Sequence, residues 1–141
     1  MKINIIYWSG TGNTEAMAEL IAKGAKGAGA DVSLIPVGDA SADDLASCDV
    51  AALGCPSMGD EILEEGEFQP YIDSIMDQVS GKKIGLFGSY GWGDGEWMRN
   101  WCQSMKDAGA ALADDGLIVN EAPDGDEADR CEAFGKLLAG M

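Results

Sequence analysis

The chain has 141 residues, 46% of them hydrophobic, with 25 acidic against 9 basic side chains and no histidine, for a net charge of −16. That size predicts one domain, 1–141, with room for a central sheet covered on both faces, and the charge argues against nucleic acid and anionic membranes as partners. No apolar run approaches the ~20 residues of a membrane span, the apolar start is too short for a signal segment, and the four cysteines (Cys48, Cys55, Cys102, Cys131) offer no Cys-x-x-Cys pair, so the expectation is a cytoplasmic protein with free, buried thiols and no metal site.

Strand and helix patterns alternate along the chain. Ile3 to Trp8 is an apolar strand that runs directly into Ser9-Gly10-Thr11-Gly12-Asn13-Thr14. Glycines there let successive N–H groups converge on an anion, hydroxyls add donors, and the helix that follows presents its positive dipole end. The run holds no Lys or Arg and matches neither a Walker A loop nor a Gly-x-Gly-x-x-Gly fingerprint. It is suited to a single phosphate monoester held by dipoles. The same residues also make an ordinary turn with an N-cap, and the loop by itself leaves both readings open.

Beyond it, Asn13 to Lys26 carries apolar residues at one-faced helical spacing and is closed by Gly27 and Gly29. Asp31 to Pro36 reads as a second strand and Ala42 to Ser47 as a short acidic helix. Asp49 to Cys55 is apolar enough for a strand covered on both faces. An irregular loop spans Pro56 to Glu67, a helix Phe68 to Val79, a strand Lys82 to Gly88, and a glycine-rich loop Ser89 to Gly95. A helix near Glu96 to Ala108, a strand near Leu117 to Val119 and a final helix from Glu127 to Leu138 complete the series. Repeated strand–helix units predict a parallel sheet with right-handed crossovers.

In such sheets ligands sit beyond the carboxyl ends of the strands, where strand order reverses. Three loops should meet there: Ser9 to Thr14; Pro56, Ser57, Met58, Gly59, Asp60 and Glu61; and Ser89, Tyr90, Gly91, Trp92, Gly93 and Asp94. Met58 and Trp92 are large polarizable side chains set among glycines and acids. A flat aromatic ligand bearing a phosphate fits between them. Trp97 and Trp101 read as packing residues, and whether Trp8 reaches the ligand is open. Cys55 reads as a packed strand-end thiol, since no Arg follows it in a phosphate loop.

With these three motifs in this order the chain resembles the flavodoxins, specifically the short-chain type of anaerobes, over essentially its whole length. The resemblance implies a doubly wound, three-layered α/β fold with a five-stranded parallel sheet in the order 2-1-3-4-5, and non-covalent FMN. It implies Ser9 to Thr14 on the phosphate, Met58 and Trp92 flanking the isoalloxazine, Glu61 near its pyrimidine edge, and the backbone of Ser89 to Gly91 near its carbonyls. The stretch that long-chain members insert in the last strand is missing. The function implied is low-potential one-electron transfer by a monomer between redox proteins, with a neutral semiquinone and an anionic hydroquinone as working states and no catalytic residue. The acidic surface points to basic-surfaced partners such as reductases, oxidoreductases or hydrogenase-like proteins. The alternative is a small FMN-dependent NAD(P)H or quinone oxidoreductase.

Overall fold

A computed structural model describes residues 1–141. Its parallel sheet is built on β1 (Lys2–Tyr7), β2 (Asp31–Pro36), β3 (Val50–Gly54), β4 (Lys83–Tyr90), β5 (Ala111–Leu112) and β6 (Leu117–Asn120). The order is β2-β1-β3-β4, as the resemblance implies, and the fifth position is shared: β5 pairs with the first half of β4 and β6 with the second. The break between them falls where Asp114 and Gly116 take left-handed φ of 64° and 87°, which turns the chain out of the ladder.

β1, β3 and β4 are buried almost throughout, the pattern of central strands covered from both sides. One face is covered by α1 (Asn13–Gly27) and α5 (Asp126–Ala139), which bury Met17, Ile21, Phe134 and Leu138 against Ile3 and Ile5. These two helices approach closely: a Cβ at Gly24 would lie 1.9 Å from the Glu132 carbonyl oxygen, and one at Gly135 2.0 Å from that of Ile21. The other face carries α2 (Ala42–Ala46), α3 (Phe68–Ile75) and α4 (Glu96–Asp107), with Phe68, Ile72, Trp97 and Trp101 packed against Ile6 and Leu53. Phe68 and Trp101 meet edge to face, centroids 5.5 Å apart. Burial of each side chain of this size is worth about 1.5–3 kcal/mol, so Trp97 and Trp101 are core residues, as their helical spacing implies.

Beyond single-residue differences at element ends, two boundaries and one strand differ from the sequence reading. β4 continues through Ser89 and Tyr90, which pair with Val119 and Asn120 of β6, so the glycine-rich loop begins at Gly91. α3 stops at Ile75 and its last turn tightens to a 3₁₀ turn at Met76–Gln78. β5 was not evident as a strand, being only two residues long.

The chain leaves β1 for β2 on one side and then crosses to β3 on the other side of β1. The reversal opens a crevice beyond the carboxyl ends of β1 and β3. No helix is long and apolar enough to cross a membrane.

Candidate functional site

At the end of β1 the backbone turns through Trp8 and Ser9 into α1, whose N-terminal residue follows Gly12 at φ 97°. Only a residue without Cβ adopts that φ readily. Ser9 Oγ accepts the N–H groups of Gly12 and Glu15, both at 3.2 Å, which draws the loop onto the start of the helix. The N–H groups of Gly10, Thr11, Asn13 and Thr14 donate to no acceptor in the chain. These four free donors, the hydroxyls of Thr11 and Thr14, and the helix dipole make a cradle for an anion. The Trp8 indole lies against Gly10, with Cζ2, Cζ3 and Cη2 3.0 to 4.0 Å from the position a Cβ would take.

The cradle opens into a cleft of about 340 Å³. Ser9, Gly10, Thr11, Asn13, Thr14, Pro56, Ser57, Met58, Ser89, Tyr90 and Gly91, all expected from the sequence, line it. Trp8 and Glu121 line it too. The sequence alone leaves Trp8 undecided, and none of its motifs points to Glu121. The signal that finds Glu121 is its place just beyond the carboxyl end of β6, where the crevice rule applies to it as to the other loops.

Ser89, 4% exposed, ties the loops together. Its N–H donates to Thr14 Oγ1 at 3.4 Å, its hydroxyl to the Glu121 carbonyl at 2.7 Å, and its own carbonyl accepts Ser57 N–H at 3.0 Å. Glu121 holds a left-handed φ of 58°, with its N–H on the Tyr90 carbonyl at 2.8 Å. Buried polar groups linked in this way fix one another's positions.

The other expected residues, Gly12, Gly59, Asp60, Glu61, Trp92, Gly93 and Asp94, lie outside the cleft lining. Apart from Gly12 they belong to two loops that hold each other. Glu61 N–H donates to the Met58 carbonyl at 2.8 Å and Met58 N–H to the Ile62 carbonyl at 3.0 Å, closing a tight turn. Glu61 itself has φ 53°, and its carboxylate accepts the Asp94 N–H at 3.1 Å and rests on Gly93. Arg99 clamps Asp94 through both its carbonyl and its carboxylate, each at 3.0 Å. Trp92 is 60% exposed, free to offer a face to a flat ligand.

The base of the first of these loops is also fastened. Glu64 N–H donates to Cys55 Sγ at 3.3 Å, and its carboxylate accepts the N–H groups of Gly66, Glu67 and Phe68 at 2.7 to 2.9 Å. Partial burial alone would raise the Glu64 carboxyl, but the N–H donors of Phe68, Glu67 and Gly66 outweigh it and hold it below its ordinary value. Burial pushes the Cys55 thiol up to about 12, so it is a neutral packing group, and all four cysteines are free and buried. Trp97 Nε1 donates to the Cys55 carbonyl at 3.2 Å.

Glu121 is the one charged residue lining the cleft. An anion there would be held by neutral donors alone, which suits a phosphate monoester, and Met58 in the lining, with Trp92 exposed one residue beyond Gly91, suits a flat ring attached to it. The donor set therefore fits FMN.

The protein-family model described as Flavodoxin matches residues 5–135. The chain is 52% identical to a flavodoxin of Clostridium beijerinckii, covering 99% of this chain and all of the relative. It is 50% identical to a flavodoxin of Megasphaera elsdenii, over 97% of this chain and 98% of the relative. Among solved structures, that of two-electron reduced Megasphaera elsdenii flavodoxin superposes with a TM-score of 0.91 at 49% identity, covering 99% of each chain.

Proposed function

The chain belongs to the flavodoxin family, FMN-binding electron-transfer proteins rather than enzymes, and from that premise we propose that it is a single-domain, monomeric, cytoplasmic carrier moving one electron at a time, at low potential, between basic-surfaced redox proteins. The observation that carries this reading is the cradle of four free N–H groups without a cation, joined through Ser89 to loops bearing Met58 and Trp92. When bound, FMN supplies the one-electron chemistry, and the protein sets its binding and its environment. The N–H groups of Gly10, Thr11, Asn13 and Thr14, with the hydroxyls of Ser9, Thr11 and Thr14, take the phosphate. The Met58 thioether and the Trp92 indole flank the ring. Glu61, held by Asp94, and the backbone of Ser89 to Gly91 border the ring's polar edge.

The acidic residues oppose addition of a further negative charge. A carboxylate ~10 Å away costs about 0.4 to 0.8 kcal/mol at an effective dielectric of roughly 40 to 80. Since about 59 mV corresponds to ~1.4 kcal/mol for one electron, four carboxylates at that distance, the number that Asp60, Glu61, Asp94 and Glu121 supply, would together shift the potential downward by about 70 to 135 mV.

The test is an absorption spectrum of the protein after loading with FMN, followed by stepwise reduction. A flavin spectrum, reduction in two separate one-electron steps, and no steady oxidation of NADH or NADPH by the protein alone are expected. Steady nicotinamide oxidation would replace the carrier with the oxidoreductase reading. Reduction by a basic reductase should also slow as ionic strength rises, because salt screens the attraction. A rate indifferent to salt would remove the basic partner.

A further inference from the structure

Residues 91 to 94, the segment that carries Trp92, take part in no hydrogen bond between backbone groups, and in none with a side chain except through Asp94. Gly93 and Gly95, at left-handed φ of 85° and 94°, flank Asp94, and glycines there leave the backbone free to swing. No hydrogen bond of its own therefore fixes Trp92. Asp94 holds the segment from outside. Its N–H donates to the Glu61 carboxylate at 3.1 Å, and its carbonyl and carboxylate each accept a guanidinium N–H of Arg99 at 3.0 Å.

Arg99 is the fourth residue of α4, close to the helix end whose dipole repels a cation. Its side chain is 61% exposed, so its pair with Asp94 adds little to global stability. Of the nine bases it is the only one hydrogen-bonded to either loop at the ring end. A cation near the ring also works against a low potential, since it favours added negative charge. What a guanidinium supplies and a point charge does not is a planar fork, two N–H groups at fixed separation that grip a carbonyl and a carboxylate of one residue at once.

We propose that Arg99 is a positioning residue for the flavin ring: by clamping Asp94 it sets the stance of Trp92 and aims the Asp94 N–H at Glu61, so that indole and carboxylate meet the ring already in place. This rests on the reading of the chain as a flavin carrier. Arg99 lies outside the lining of the cofactor cleft and acts only through the residues it holds. Its effect on the potential then has the sign opposite to that of its charge. Loss of a cation by itself disfavours an added electron and lowers the potential of the second one. A slack loop displaces the indole and admits water, which favours the added charge and raises that potential.

The experiment compares Arg99→Lys, which keeps the charge and loses the fork, with Arg99→Gln, which loses both. Lys106→Gln removes a charge about two turns further along the same helix and is the control. In the flavin-free chain, amide hydrogen exchange at Asp94 should be about fivefold faster in both Arg99 variants, with Ser89 unchanged, and Lys106→Gln should leave both sites as they are. In the FMN-loaded chain, both Arg99 variants should raise the potential of the second electron, read by stepwise reduction. Each should also weaken FMN about threefold, and that loss should vanish in the Trp92→Ala background, because effects that run through one residue do not add. Unchanged Asp94 exchange in Arg99→Lys would overturn the proposal, as would equal acceleration in Lys106→Gln. So would a lower potential in Arg99→Gln with no change in Arg99→Lys, the mark of a charge acting alone, or an undiminished effect of Arg99→Lys beside Trp92→Ala. A chain that takes up no flavin would remove the carrier reading, while Asp94 exchange without flavin would still decide the clamp.

Discussion

At the end of the cleft formed by Ser9 to Thr14, the loop is anchored from beneath: Thr14 is 1% exposed, Ser89 4%, and the two are joined by a hydrogen bond that continues to Glu121, just beyond β6. At the other end Trp92 is 60% exposed, Glu61 carries a left-handed backbone, and the two loops are held by contacts with each other more than with the sheet. The first end is a set of donors laid out by a strand and a helix N-terminus and anchored through Thr14 to Ser89. The second is a pair of loops whose mutual contacts are local and replaceable. The difference separates two tasks: holding the phosphate needs donors that do not move, whereas adjusting the ring's surroundings needs a segment that can shift at low cost.

The largest expected effect removes the first end altogether. Riboflavin, which lacks the phosphate, should bind at least ~100-fold more weakly than FMN, because charge-assisted hydrogen bonds are worth about 1.5–3 kcal/mol each and even two of them reach ~3 kcal/mol. Equal dissociation constants would mean that the free N–H groups are ordinary helix-terminal donors.

Next in size is Gly93→Ala, which attacks the second end alone. A Cβ there would lie 2.0 Å from Glu61 Oε1, at a φ of 85° that L side chains rarely adopt. Backbone strain of this kind costs about 1–3 kcal/mol, so FMN affinity should fall about tenfold while the ratio of FMN to riboflavin affinity stays as it was. A change in that ratio would show that the two ends are not independent.

Trp92→Ala should weaken FMN about fivefold, the loss of about 1 kcal/mol of aromatic stacking, and should raise the potential of the second electron as water reaches the ring. Titration of both flavin binding and potential checks it; if neither moves, the ring is stacked on another side chain.

The smallest effect depends on pH. Because the folded-state value of Glu64 lies below its ordinary 4.5, its fastening of Gly66, Glu67 and Phe68 is fully present above that value and is lost as pH falls through the depressed one. Amide hydrogen exchange at those three residues should accelerate on acidification in this window, ahead of exchange at Ser89 and Thr14. In Glu64→Gln the acceleration should already be present at neutral pH. Simultaneous loss of protection at both ends would instead indicate global acid unfolding.

Much of the molecule is legible in the chain itself. Asn13 to Lys26 shows its helix through one-faced spacing, β3 its two-sided burial through continuous apolar residues, and Ser9 to Thr14 its tight turn with free N–H groups through residue types that turn sharply and donate. Each of these depends on neighbours within a turn of helix or a strand's length, and periodicity and local backbone preference report such neighbours directly. Met58 and Trp92 stand out for a related reason, being large side chains in loops that offer no local packing.

Other features depend on residues far apart in the chain, and only the folded structure decides them. The end of β4 lies at Tyr90 because Ser89 and Tyr90 find partners in Val119 and Asn120, about 30 positions later, and nothing in Gly88-Ser89-Tyr90-Gly91 announces that pairing. Glu121 joins the cleft, and Glu61 reaches across to Asp94, for the same reason: loops from separate strands end at one edge of the sheet. A concavity between α3 and α4 is lined by residues of two helices that the sequence shows only one at a time. The sequence by itself determined which elements form and which loops carry donors, through interactions between near neighbours; the tertiary structure decided where strands stop, which loops clasp and where clefts open, because those are fixed by hydrogen bonds and packing between segments that local preference cannot bring together.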